Sequence, residues 1–301
     1  MENLRGAVLM VLAMLGFAIE DMFIKLTADA LPPWQIIAVL GSGGAAVFAV
    51  LTKLKGQPLW TRGYLAGPVL LRNLGELIGT VGFVTAIALT PISQASSILQ
   101  ATPLLVTLGA ALFLKEPVGW RRWSAILVGF VGVLLVIRPG TEGFDVLSLF
   151  AVQGTVGLAI RDLATRKVGR ETSSFQLSFL AFLMLIPAAA ILSLFSDRGY
   201  VAPDAQLWAY FAGVILLGVA AYYAIVAAMR IGEVSFVTPF RYSRIVFALI
   251  VGMVVFGERP DSLMLLGAAI IVGSGIYTLV REGRVRSAAR KPAKRAAGPV
   301  G

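Results

Sequence analysis

Arg241 and Arg244 stand three positions apart in the stretch TPFRYSRIVFALIVGMVVFGERP, where nearly everything around them is apolar. On a helix that spacing puts both guanidinium groups on one face, one turn apart. A planar donor fork binds a carboxylate, a phosphate or a polarised carbonyl well, so the pair is a candidate anion-recognition site. The competing reading is a structural network in which they bridge to Glu20 or Glu76. Other charges interrupt apolar runs in the same way: Glu20, Asp21 and Lys25; Arg72 and Glu76; Arg161 and Asp162. Asp21/Lys25, Arg72/Glu76 and Asp162/Arg166 have i,i+4 spacing and can neutralise one another locally. Glu20, Arg161, Arg241 and Arg244 have no such neighbour.

Uncharged polarity gathers in PISQASSILQATP, where Gln94, Ser97, Gln100 and Thr102 precede Pro103. Proline removes a backbone donor and frees a carbonyl inside the apolar segment. Thr238, Pro239, Tyr242 and Ser243 repeat that character later in the chain. Gln94, Gln100 and Tyr242 join Arg241, Arg244, Glu20, Arg72 and Glu76 as candidate ligand-binding residues. Ser93, Ala95, Ser96 and Ser97 read better as close-packing positions.

The elements that hold these residues follow from composition. Of 301 residues 58% are hydrophobic and 14% charged, with no cysteine or histidine. Soluble domains carry about a quarter charged residues, so this is a membrane chain. Thiolate and histidine metal sites and histidine or cysteine nucleophiles are excluded, and no metal or cofactor is expected. A helical span takes about 20 apolar residues. The runs predict ten, near 6–26, 34–52, 66–89, 91–114, 120–138, 147–165, 173–196, 206–229, 234–256 and 262–280.

With the N-terminus placed inside, the inner connections and tail hold eighteen Lys/Arg and the outer connections three. Basic short loops stay cytoplasmic, so both termini are expected on the cytoplasmic side of the inner membrane. The net charge of +10 is concentrated in residues 282–301 and the Arg281 before them. That segment is expected to be a disordered tail facing anionic lipid, not a nucleic-acid site.

A repeat runs through the chain. An offset of 141 pairs Gly16 with Gly157, Ala18 with Ala159, Ile19 with Ile160, Asp21 with Asp162, Lys25 with Arg166 and Gln35 with Gln176. An offset of 142 pairs Val84 with Val226, Ala86 with Ala228, Ser93 with Ser235 and Glu116 with Glu258. Each copy holds five predicted helices. Five is odd, so the second copy enters the membrane from the other side: an all-α fold of ten transmembrane helices as two inverted five-helix repeats, 5–139 and 145–281. Such pairs can exchange inward-open and outward-open arrangements around a midplane site.

The copies end alike, in LFLKEPVGWRRWSAILVGFVGVLLVIRP and VFGERPDSLMLLGAAIIVGSGIYTL. These stretches resemble the EamA-type repeat of the drug/metabolite transporter superfamily, with Lys115 departing where glycine is common. The resemblance implies a ten-helix secondary transporter whose central cavity is lined mainly by the first, third, fourth, sixth, eighth and ninth helices. It implies substrates ranging from amino acids and vitamins to nucleosides, phosphorylated sugars and drugs.

No GxxxxGK[ST] motif is present, so direct ATP hydrolysis is not expected. A proton-coupled cycle would have to use Glu20, Asp21, Glu76 or Asp162. HExxH and GxSxG are missing, which counts against an intramembrane enzyme. The expected partners are a small polar substrate, anionic or zwitterionic, and the bilayer, for a monomer or homodimer. A passive channel is the alternative.

Overall fold

The computed structural model describes residues 2–116, 118–141, 143–169, 171–231 and 234–296, without the side chains of Val226, Arg230, Val234, Ser235 and 282–296. Among the described residues ten helices are long and apolar enough to cross a membrane. In chain order they are α1 (Glu2–Ala28), α2 (Pro33–Leu54), α3 (Gly67–Leu89), α4 (Ile92–Phe113) and α5 (Trp120–Ile137). Then follow α6 (Leu149–Thr165), α7 (Ser174–Ser193), α8 (Ala205–Ile231), α9 (Thr238–Val255) and α10 (Ser262–Ala296). The basic segment expected at 282–301 lies, in its side chains and last residues, outside the described residues.

Prolines start the helices where a missing amide costs nothing: Pro33 in α2 and Pro68 in α3 stand at the first two positions. Ser173 opens α7 with a reciprocal capping box to Gln176. Large apolar side chains such as Leu127, Leu216 and Val254 point outward at 62%, 69% and 78% exposure, as a lipid-facing surface requires.

The main packing pairs are α3 with α6, α1 with α8, α2 with α7 and α5 with α10. Exchanging each helix for its counterpart five places along returns the same four pairs, as a twofold relation between the repeats demands. The α3–α6 contact is built on glycine: a Cβ on Gly82 would lie 2.6 Å from the Gly154 amide nitrogen. Only the absence of a side chain lets the two backbones meet.

The fourth and ninth spans are not continuous helices. In α4, Ile92–Leu99 ends at Gln100 and a second segment starts at Thr102 with Pro103 at its second position. In α9, residues Thr238–Tyr242 form a 3-10 turn around Pro239 before the α-helix Ser243–Val255. Each proline sits where the chain has left the α-helical hydrogen-bond pattern.

The turn before the last helix of each repeat is the same. Lys115 takes φ 54° and Gly257 φ 64°. The following amides, Glu116 and Glu258, donate to the carbonyls of Ala110 at 3.1 Å and Gly252 at 2.9 Å. The departure from glycine at Lys115 therefore leaves the turn intact.

Candidate functional site

The helices enclose a cavity of about 390 Å³. It is lined from α1, α3, α4, α6, α8 and α9, as the resemblance implied, and also from α2 and α7. On the side away from the termini it ends at a packed apolar layer in which Ile24, Leu31, Ile36, Ile37, Ile87 and Phe211 are each no more than 3% exposed. On the side of the termini the lining reaches Thr165, an exposed residue at the last position of α6. The cavity is thus sealed at one end of the bundle and reaches the surface at the other.

One wall is aromatic. Phe48 of α2 stacks on Phe182 of α7 with ring centroids 5.6 Å apart, and Tyr222 of α8 meets Phe48 edge-on at 5.5 Å. Gly44, one turn before Phe48, leaves the room that Phe182 fills; any Cβ there would collide with its ring. The facing wall is polar, with Arg72, Glu76, Gln100, Arg161, Asp162 and Arg241.

The charges on that wall form a chain. Arg72 pairs with Glu76 at 3.0 Å, Glu76 with Arg161 at 3.2 Å, and Arg161 with Asp162 at 2.8 Å. Arg72 also donates to the Leu177 carbonyl at 2.8 Å, while its buried Nε has no partner among the described residues. Two cations and two anions cancel within the row. Of the three i,i+4 pairs expected, only Arg72/Glu76 forms.

Asp21 is taken instead by Arg244, whose Nη2 and Nε reach the two carboxylate oxygens at 2.6 to 3.2 Å. The Arg244 guanidinium lies 5.2 Å from the ring centres of both Phe17 and Phe83, so aromatic faces cover it as well. Lys25, released from Asp21, donates to the carbonyls of Ile87 and Thr90 at the end of α3. Arg166 bridges to Glu116 at 3.1 Å, not to Asp162.

After these pairings two charged groups in the lining have no hydrogen bond or ion pair among the described residues: Glu20 on α1 and Arg241 on α9. Glu20 lies against the open backbone of Gly218 on α8. The Arg241 carbonyl, free of the helical pattern in the 3-10 turn, accepts from the Gln100 side chain at 3.2 Å. That bond ties the break in α4 to the break in α9.

The structure therefore brings Arg241, Arg244, Tyr242, Gln100, Glu20, Arg72, Glu76 and Asp162 to one cavity. Asp21 stands behind Arg244. Gln94 is not among the lining residues; it reaches the Val136 carbonyl on α5 at 3.5 Å. Tyr242 is 3% exposed, and its hydroxyl has no hydrogen-bond partner among the described residues and lies against Gly275 on α10. Arg161, marked in the sequence as a charge without a local partner but not as a site residue, joins this lining, as do Phe48 and Phe182, for which the sequence carried no signal.

Ten membrane-spanning helices in two repeats thus surround a polar-and-aromatic cavity. The EamA-like transporter family model matches residues 4–138 and 147–280, and the chain belongs to that family. It is 30% identical to a riboflavin transporter of Vibrio cholerae over 89% of this chain and 91% of that one. It is 25% identical to an S-adenosylmethionine uptake transporter of Rickettsia felis over 72% of this chain and 73% of that one. A solved crystal structure superposes with TM-score 0.58 at 21% identity, covering 89% of this chain and 97% of that one. The protein is a multi-pass membrane protein and a metabolite transporter, not an enzyme.

Proposed function

We propose that the chain is a secondary transporter that works by alternating access, with the cavity captured open toward the cytoplasm. The sidedness rests on the excess of basic residues in the connections on the side of the termini. The observation that carries the substrate reading is the pair of charged side chains without an ion-pair or hydrogen-bond partner among the described residues, Glu20 and Arg241. The substrate is a small polar metabolite with an acceptor group for Arg241, a carboxylate, phosphate or polarised carbonyl, and a donor or cationic group for Glu20. Phe48, Phe182 and Tyr222 add a surface on which a flat ring can stack. A zwitterion, or a heterocycle with a polar edge, meets both demands.

Riboflavin and S-adenosylmethionine, the compounds named for two relatives, are the first probes. In proteoliposomes containing the purified chain, one of them, or a polar competitor that displaces it, is expected to show saturable flux that unlabelled compound on the far side accelerates. Flux that rises linearly without saturation or exchange would support a passive channel and sink the carrier reading.

A further inference from the structure

The two repeats carry the same turn residues in different employment. At the sealed end Glu258 accepts from the amides of Ile92 at 2.6 Å and Ser93 at 3.1 Å, and from the Ser93 hydroxyl. Those are orphan donors at the start of α4, which a carboxylate satisfies best. Lys25 donates to the carbonyls of Thr90 at 2.6 Å and Ile87 at 3.2 Å, orphan acceptors at the end of α3. The α3–α4 turn is thus held between a cation from α1 and an anion from the other repeat.

The repeat relates Glu258 to Glu116 and Lys25 to Arg166. At the opposite end, where the cavity reaches the surface, those counterparts hold each other instead, at 3.1 Å and with both side chains about two-fifths exposed (38% and 39%). The backbone around the two glutamates is alike, as the matching amide bonds and φ values show. What differs between the ends is the partner, not the turn.

From this we infer that Glu258 is a latch that closes the far end of the bundle by capping α4, and that Glu116 is the matching latch for the opposite state, capping the segment that starts at Val234 and Ser235. In the alternate arrangement Lys25 and Glu258 pair with each other, as Arg166 and Glu116 do here. The inference rests on the alternating-access reading and adds the residues that hold each state. Loss of a charge-assisted cap shifts a two-state equilibrium roughly tenfold or more.

The chain has no cysteine, so single reporters carry no background. Leu31→Cys sits in the seal at 0% exposure, and Thr165→Cys at the mouth. With a membrane-impermeant maleimide applied to each side of oriented vesicles, Glu258→Gln is expected to raise Leu31→Cys labelling roughly tenfold and to lower that of Thr165→Cys. Glu116→Gln is expected to move the ratio the other way. Unchanged protection of Leu31→Cys in Glu258→Gln, or a rise in both variants, overturns the latch. Should Glu258→Gln fail to fold, Ser93→Ala decides: it removes one of the three contacts, and a smaller rise supports the latch while none refutes it. Labelling needs no substrate. Flux without the labelling shift therefore sinks the latch alone, and the shift without flux sinks the carrier reading alone.

Discussion

Arg244 and Asp21 share three contacts of 2.6 to 3.2 Å between the ninth and first spans, with the carboxylate only 3% and the guanidinium 16% exposed. The pair joins the two repeats beside the cavity, and the Nε/Nη2 edge of the Arg244 fork is taken by Asp21. Removing one partner strands the other charge in a low-dielectric site, a loss of about 3–5 kcal/mol. Asp21→Asn is therefore expected to lower the unfolding temperature in detergent substantially, and Asp21→Leu combined with Arg244→Met to recover much of the loss. If the double variant is as unstable as the single, the cost does not come from a stranded charge.

Arg241 makes the opposite prediction. Its guanidinium has no ion partner among the described residues, so Arg241→Gln breaks no bridge. A charge-assisted hydrogen bond to a ligand contributes about 1.5–3 kcal/mol. Arg241→Gln should leave the unfolding midpoint near that of the parent while reducing the affinity for a transported probe roughly tenfold or more. Equal flux and affinity in the variant would remove Arg241 from the site.

The sequence made the frame legible and the pairing only partly so. Apolar run length gave ten spans, and two offsets one residue apart gave the repeat, because both are properties of the chain taken alone. Lys25 shows where this ends. Its i,i+4 position favours Asp21 on an isolated helix, but unpaired carbonyls at the end of α3 and an arginine from α9 compete, and neither is visible from residues 21–25. Gln94 and Gln100 look alike in PISQASSILQATP. Six residues on a helix turn them to different sides, and only the packing of α5 and α9 decides which side is the cavity.

Outside the spans, Asp261 precedes α10 and binds Arg138, which follows α5; it also accepts from the Met264 amide at 2.9 Å. The Arg138 hydrogen bond, with the helix amide, holds the Asp261 carboxyl below the usual carboxylate range. A depressed pKa contributes stability that is present above the unfolded value, about 3.9, and lost as pH falls through the folded value. The parent should therefore lose stability on acidification below about pH 4 more steeply than Asp261→Asn. With the carboxylate half exposed, at 52%, the difference should shrink in 1 M salt. Parallel acid titrations of the unfolding midpoint test this, and superimposable curves would refute it.

The repeated turn allows one asymmetric test. Gly257 and Lys115 both hold positive φ, but only the lysine carries a Cβ into that region, where an L side chain costs about 1–2 kcal/mol. Contact does not limit substitution at Gly257, which has open space around an added Cβ. Backbone strain alone should then set the effect. Lys115→Gly is expected to raise the unfolding midpoint or leave it level, the gain in local conformation being offset by the freer unfolded chain. Gly257→Ala is expected to lower it by an amount equivalent to about 1 kcal/mol. Because Gly257 adjoins the Glu258 latch, the same Gly257→Ala protein should also expose Leu31→Cys to labelling more than the parent does. A stable Gly257→Ala with an intact seal would mean that the turn bends freely and that the carboxylate, not the backbone beneath it, holds that end closed.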